Sequence, residues 1–412
     1  MPVERVETLI IGGGQAGLVM SHMLSKRGRP HLVLERYRIA ERWRTERWRS
    51  ERWDGLAFQF PNWSVRLPEF PFPHTDPDAF ATTGEIIEFI EAYAAFVAPP
   101  IRCGVEVTRL RARDGASGFV AETAGGAVEA NNVVVATGPY QRALIPDLLR
   151  EHPVFQVHAS NYQNPQQLPP GAVLVAGAGA SGAQIAEELQ RAGRRVYLSV
   201  GTHRRLPRRY RGRDVIWWIA EMGIDRTPTA QRGASALGPV ISGAYGGQTI
   251  DFRRYAADGM TLLGYLRSAR GGVIEIAPGL AESLVAGDLV FTTFLNFADG
   301  FVKLRGLDLP EEPEARATLP DPACVTEPLQ RLDLGAEGIG AVIWATGYGL
   351  DFNWVDLPVK DANGDPVHRN GIAGLPGLYF LGLPWLSRMN SSFLSGVGDD
   401  AAVLADHIAA RG

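Results

Sequence analysis

The stretch ETLIIGGGQAGLVMSHMLSKRGRPHLVLE, residues 7–35, decides how the rest of the chain is read. Residues 8–11 are a short apolar run, as a buried parallel strand requires. Gly12, Gly14 and Gly17 follow in G-x-G-x-x-G spacing. The first glycine permits a tight turn, the second admits a pyrophosphate to the backbone, and the third packs helix on strand. A helix is expected from about Gln15 to Lys26. Its first N–H groups, at Gln15 and Ala16, and its positive dipole end face the phosphates. Gly28 stands where a helix C-cap is wanted. Residues 31–34 form the next strand, and Glu35 at its tip, with Arg36 beside it, is placed to bind a ribose 2′-hydroxyl. Strand, glycine turn, helix and carboxylate together indicate the ADP half of a bound FAD or NAD.

At 412 residues the chain is too long for one ordinary core, so two or three domains are expected. A formal net charge of −4 gives no global reason to expect nucleic acid or an anionic membrane as partner. No apolar run approaches the roughly 18–20 residues of a membrane span. The chain enters its first strand within a few residues, leaving no room for a signal peptide, and cytoplasmic residence is the default expectation. Cys103 and Cys324 lie far apart, which excludes a C-x-x-C redox pair, and the eight histidines show no ligand spacing, so no metal is expected.

Residues 173–200, VLVAGAGASGAQIAEELQRAGRRVYLSV, repeat the opening pattern. A strand leads to Gly177, Gly179 and Gly182, then a helix carrying Ala180 and Ser181 runs to about Arg191, and a strand follows at 196–200. One position differs. Glu35 lies 18 residues beyond Gly17, and the same offset from Gly182 falls on Val200. In place of a carboxylate the strand runs into Gly201-Thr-His-Arg204-Arg205, whose charge suits an adenosine 2′-phosphate. NADPH is therefore favoured over NADH. The competing reading takes these arginines as solvated members of a basic run, since residues 204–213 hold six. Two buried strands end alike, on Ala136-Thr137-Gly138 and on Ala345-Thr346-Gly347. The expected fold is α/β, with two Rossmann-like dinucleotide-binding domains, each a parallel sheet flanked by helices with a small antiparallel sheet. FAD would occupy residues 1–168 and 336–412, and NADP residues 169–335. Two such sites imply hydride passing from nicotinamide to flavin, then onward to O2, an organic acceptor or an electron-transfer protein.

Other segments carry more open readings. Residues 41–53 hold a five-residue repeat, ERWRT-ERWRS-ERW, which either lengthens a loop or helix end or sets one of Trp43, Trp48 or Trp53 against a flat cofactor ring. Asn62, among Phe58, Phe60, Pro61 and Trp63, is either a turn asparagine or a polar group placed for function. Residues 215–222, VIWWIAEM, read as a helix in a core or domain interface, with a substrate box as the competing reading. Residues 273–276, 289–294 and 301–304 read as strands, and 307–328 as an irregular surface excursion.

The series GGGQAG…E, WRSERWDGL…PNW, ATG, GAGASG and ATGYGLDF resembles the flavin-containing monooxygenases, the class B flavoprotein monooxygenases. It is most similar to bacterial predicted flavoproteins related to the plant YUCCA enzymes. The resemblance covers essentially the whole chain, including the ending LGLPWLSRMNSSFLSGVGDDAAVLADHI. It implies FAD and NADPH as cofactors, with NADH admitted, and transfer of one oxygen atom from a C4a-(hydro)peroxyflavin to a small organic substrate at nitrogen, sulfur or carbon. Asn62 matches an active-site asparagine whose amide would support the oxygenated flavin, and Trp48 or Trp53 would stack on the ring. His158 and Tyr162 fit the second half of the family's F-x-G-x-x-x-H-x-x-x-[Y/F] motif, while His152 and Val154 replace its first two members; both are assigned to the domain junction near NADP+, or to packing. The final helix, starting near Asp400, would point its positive end at the flavin pyrimidine, with Asp399 and Asp400 alternatively acting as N-caps. A NAD(P)H:acceptor oxidoreductase or NADPH oxidase is the alternative enzyme, and a redox-linked binding module the alternative of another kind. The sequence leaves a homo-oligomer open.

Overall fold

The computed structural model describes residues 4–44, 52–233 and 238–411. Its centre is the strand Glu4–Ile11, which pairs in parallel with His31–Glu35 on one side and Gly126–Val135 on the other. Leu9, Ile10, Val33, Leu34 and residues 133–135 are buried, the continuous apolar pattern of strands covered on both faces. The Gln15–Lys26 helix covers one face and packs on the C-terminal helix Val397–Ala410. Gly28, at φ +64°, donates to Ser25 O while Arg29 donates to Leu24 O, which closes the helix as a left-handed C-terminal turn. The last quarter of the chain returns to this sheet, where Leu378–Phe380 pairs in parallel with the end of Gly126–Val135. Ile101–Cys103 is a parallel edge strand beside Glu35, and Val107–Ala112 and Phe119–Thr123 extend the same sheet in antiparallel fashion.

A second sheet holds five parallel strands in the order Phe155–His158, Ile339–Trp344, Ala172–Ala176, Val196–Ser199, Thr261–Leu263. Its first two members shift the expected boundaries at 168/169 and 335/336. Residues 155–158 and 339–344 belong to the second domain because each completes its parallel ladder. The chain crosses between domains at Arg142–Ala143 and returns at Tyr348–Gly349, and these two crossings pair antiparallel. Leu266–Arg270, Val273–Ile276 and Arg331–Asp333 form a small antiparallel sheet in the second domain.

Residues 289–294 and 301–304 are not strands. They lie inside one 26-residue helix, Leu280–Arg305. Valine, phenylalanine and threonine raised the local strand signal, but Leu280, Leu284, Gly287, Phe291, Phe294, Leu295, Ala298 and Val302 are buried at helical spacing. Tertiary burial of that stripe outweighs residue preference. By length and composition this helix could also cross a membrane, contrary to the expectation that no segment would, although its buried stripe packs inside the protein.

Candidate active site

Both glycine turns have the same construction. Gly12 has φ +112° and Gly177 φ +107°; a Cβ on either would lie 2.5 Å from a carbonyl oxygen, Ala136 O and Ala345 O respectively. A Cβ at Gly17 or Gly182 would collide with the carbonyl of Gly12 or Gly177. Only glycine fits these four positions. Gly14 and Gly179, by contrast, are exposed, and a Cβ there would meet nothing within 4 Å of protein. Each is the N-cap of its helix and makes no side-chain cap. Open space beside unsatisfied helix N–H groups fits an anionic diphosphate at both turns. Gln15 and Ala180 are half-buried in the first helical turns; Ala16 is buried under Gly382, and Ser181 is exposed.

The Ala-Thr-Gly segments run over these turns. Ala136 N donates to Ile11 O at 2.8 Å and Ala345 N to Ala176 O at 2.9 Å, so each closes the end of its sheet beside the glycine loop. Gln141 Nε2 donates to Thr137 Oγ1 (3.0 Å) and Gly138 O (2.7 Å), while Thr346 Oγ1 donates to Leu144 O. The paired crossings thereby tie one loop to the other. His158 is buried at this junction, with Nε2 3.1 Å from Gly347 O and Nδ1 accepting from Ser160 N–H at 3.1 Å. Burial lowers its pKa, so the neutral ring with its proton on Nε2 satisfies both contacts.

The carboxylate difference is expressed in the register. Ile11 pairs with Leu34 and Ala176 with Ser199, so Glu35 and Val200 occupy matching places one residue beyond. Glu35 Oε2 accepts from Gly13 N–H at 2.6 Å and Oε1 from Tyr37 N–H at 2.9 Å, which holds the carboxylate against the glycine turn. Val200 is fully buried. Arg36 is exposed and pairs with Glu106 at 3.4 Å.

A model of the pyridine nucleotide-disulphide oxidoreductase family matches residues 9–222, from the first glycine turn past the second. The chain belongs to that family. A CzcO-like oxidoreductase of Geobacillus kaustophilus is 34% identical over 408 residues, covering 98% of each chain. Indole-3-pyruvate monooxygenase YUCCA1 of Oryza sativa is 34% identical over 200 residues, 46% of this chain and 48% of its own. The solved flavin-containing monooxygenase of Stenotrophomonas maltophilia shares the fold, with a TM-score of 0.67 over 99% of both chains at 18% identity. The protein is an oxidoreductase of that family. This member of the pyridine nucleotide-disulphide family carries no C-x-x-C, and its cysteines sit in separate domains, Cys103 on the edge strand of the first sheet and Cys324 in the helical turn Ala323–Thr326.

Three expected cofactor contacts are placed elsewhere in this oxidoreductase. Arg205 is buried between two carboxylates, Asp288 Oδ1 and Asp251 Oδ2, each at 2.6 Å, and is spent on that pairing rather than on a phosphate. It is not a solvated surface arginine either. Arg204 is half-buried. Trp53 is buried in the core of the second domain with Tyr162, which removes it from a flavin ring. Tyr162 donates from its hydroxyl to Glu188 Oε2 at 2.8 Å; burial pushes both pKa values up, and the pair packs the second domain's first helix. Trp48 lies outside the described residues. Trp43 is half-buried and meets Phe58 edge-on at 5.5 Å.

Asn62 is buried at the start of a short 3₁₀ turn, with Nδ2 donating to Asp76 O at 3.0 Å and Oδ1 buried without a hydrogen-bond partner. Phe60 beside it packs on Phe393 at 5.1 Å, which brings the C-terminal loop to the Asn62 segment. That loop is tied to the first glycine turn by Gln15 Nε2 donating to Ser392 O at 2.7 Å. The final helix begins at Val397 with Gly396 as N-cap, so Asp399 and Asp400 are first-turn residues, not caps. Asp399 pairs with Arg388 at 2.8 Å; buried Asp400 accepts from Ser387 Oγ and keeps an unpartnered Oδ2.

Sequence reading missed Arg208. It is fully buried, binds Asp214 through two nitrogens at 2.7–2.9 Å, donates to Ser242 O at 3.3 Å, and reaches Gln59 O of the first domain at 2.8 Å. Asp214 six residues downstream was the available signal, obscured by the density of arginines around it.

Proposed function

We propose that this oxidoreductase is an FAD- and NADPH-dependent monooxygenase that transfers one atom of O2 to nitrogen, sulfur or carbon of a small organic substrate. The observation that carries the reading is the pair of matching glycine turns joined through the Ala-Thr-Gly crossings, one with Glu35 and the other with Val200 in its place. Gly12, Gly14, Gln15, Ala16, Gly17 and Glu35 would hold FAD, and Gly177, Gly179, Ala180, Ser181 and Gly182 the pyridine nucleotide. FAD, when bound, accepts hydride from a reduced nicotinamide and passes electrons to oxygen. The chain's own contribution is to orient and to keep water out. The Phe60–Phe393 contact supplies an apolar wall, and Asn62 keeps a second Nδ2 N–H beyond the one given to Asp76 O, the kind of fixed donor that stabilises negative charge in a dry site.

Asn62→Ala should let NADPH oxidation continue while product per NADPH falls about 10-fold or more, the scale on which one lost polar contact acts. The measurement is NADPH consumed against oxygenated product and hydrogen peroxide over a panel of amines, thioethers and ketones. Unchanged coupling would remove Asn62 from the reading. Peroxide equal to NADPH with every substrate would instead make the enzyme an NADPH oxidase.

We assign the selection of NADPH to Arg204, four residues beyond Val200. Arg204→Ala should raise the KM for NADPH roughly 10- to 100-fold, the value of a charge-assisted hydrogen bond, and leave that for NADH within about twofold. Equal effects on both nucleotides would assign Arg204 to packing.

A further inference from the structure

Residues 201–205, which follow Val200, are held by two elements from further along the chain. Tyr265 lies against Gly201, where a Cβ would strike its ring. Its hydroxyl accepts from Thr202 N–H at 2.7 Å and donates to Thr202 Oγ1 at 3.2 Å. The second element is the Leu280–Arg305 helix, which sets Leu284, Gly287, Asp288 and Phe291 on one face.

His203 is buried against that face, so close to Gly287 that a Cβ there would collide with its Nε2. Its Nδ1 lies 2.9 Å from Gly201 O, and its ring meets Phe252 edge-on at 4.9 Å. Burial lowers the His203 pKa, so the ring is neutral and donates its Nδ1 proton to that carbonyl. Two residues on, Arg205 gives Nη1 to Asp288 and Nη2 to Asp251, and its guanidinium lies 4.3 Å over the Phe291 ring. The other oxygen of Asp288 accepts from Arg253 Nη1 at 2.7 Å, and Arg253 Nε donates to Asp321 at 2.7 Å. Asp288 therefore has both oxygens committed and joins the loop to a chain of ion pairs.

Neighbours along an extended segment point to opposite faces. With His203 and Arg205 both turned to the helix, the side chain of Arg204 is turned away from it. Gly287 makes the arrangement possible: glycine is a poor helix former, and here in mid-helix its missing side chain admits the histidine.

We propose that Gly287 and Asp288 are positioning residues for nucleotide selection, which fix the 201–205 loop through His203 and Arg205 and so aim Arg204 at the 2′-phosphate of an adenine dinucleotide. The proposal rests on the assignment of NADPH selection to Arg204 and extends it to a helix 83 residues further along the chain.

The test is calorimetric titration of the holoenzyme with 2′-phospho-ADP-ribose and with ADP-ribose, neither of which carries nicotinamide or turns over. The wild type should prefer the phosphorylated ligand at least ~10-fold, the value of a charge-assisted hydrogen bond. Gly287→Ala displaces the His203 ring and should cut that preference to about threefold or less. Affinity for ADP-ribose and flavin content should stay unchanged. Asp288→Asn keeps the shape, removes the charge that holds Arg205, and should reduce the preference at least ~3-fold; it decides the matter if Gly287→Ala does not fold. A folded variant that keeps the wild-type preference, when Arg204→Ala loses it, overturns the proposal and leaves the Arg204 assignment standing. Equal weakening of both ligands assigns the two residues to packing and overturns it as well. A wild type that binds the two ligands equally overturns the proposal and the Arg204 assignment together.

Discussion

Replacing Gly14 by alanine is expected to give a folded, colourless protein, and replacing Gly179 a folded, yellow one that NADPH no longer reduces. Neither substitution disturbs the polypeptide. Both residues have φ and ψ that any amino acid adopts, −76°/−173° and −70°/−177°, and a Cβ at either meets no protein atom within 4 Å. Loss of unfolded-chain freedom should even stabilise each variant by about 0.4–1 kcal/mol. The added methyl group instead fills the space next to the helix N–H groups where the diphosphate would lie. A loss of about 3 kcal/mol or more in nucleotide affinity, at least ~100-fold, is expected. Gly14→Ala is read by the flavin-to-protein absorbance ratio. Gly179→Ala is read by stopped-flow reduction with NADPH against reduction by dithionite, which bypasses the nucleotide. Loss of flavin in both variants, or in neither, would break the assignment of the two turns. Gly17→Ala serves as contrast: its Cβ would strike Gly12 O, and that variant should fail to fold.

Arg208→Met carries the second large effect. The guanidinium lies between the domains, with Asp214 on one side, Gln59 O on the other and the Phe80 ring 4.4 Å away. Burial pulls its pKa down against the opposing pull of Asp214, and the buried charge is satisfied by that pair and by the carbonyls of Gln59 and Ser242. Removing the arginine strands a buried carboxylate that also caps the Val215–Glu221 helix through Ile216 N–H at 2.8 Å. The expected loss is about 3–5 kcal/mol, enough to lower Tm by roughly 6–20 °C in a domain of this size. Arg208→Met with Asp214→Ser, which keeps a cap and discards the charge, should recover much of it. Denaturant melts of the three proteins decide the matter; a single-variant loss below about 1 kcal/mol would show that the pair is not what holds these domains in place.

The two glycine turns were legible because their chemistry is local: positive φ, close backbone approach and strand-helix timing are all written within thirty residues. Glu35 against Val200 was legible for the same reason, since register is fixed by the strands on either side. What escaped is long-range. The fate of Arg205 depends on Asp251 and Asp288, far along the chain, and nothing near residue 205 announces them. Trp53 and Tyr162 likewise take their roles from a shared core that forms only when residues 53–56 dock on the second domain, where Asp54 N donates to Gln163 O at 2.8 Å. Parts of the Leu280–Arg305 helix read as strands because valine, threonine and phenylalanine favour strands when judged a few at a time. Its helical stripe becomes visible only over the full 26 residues. Residues at the domain seam, Asn62 among them, belong to both classes: their type is visible in the sequence, their partners are not.

The paired crossings have a consequence for how the molecule can be taken apart. Ala143 and Tyr348 are register partners, so the two ends of the second domain emerge side by side from the first, like the stem of a lobe. A two-residue hairpin turn such as Asn-Gly would bridge that gap and yield a single-lobed protein of roughly half the length, provided that the side chains it would leave bare, Trp53, Phe60 and Trp63 among them, are exchanged for polar residues. The half that carries the second glycine turn is thus a detachable cassette, joined at one point to the sheet that carries the first.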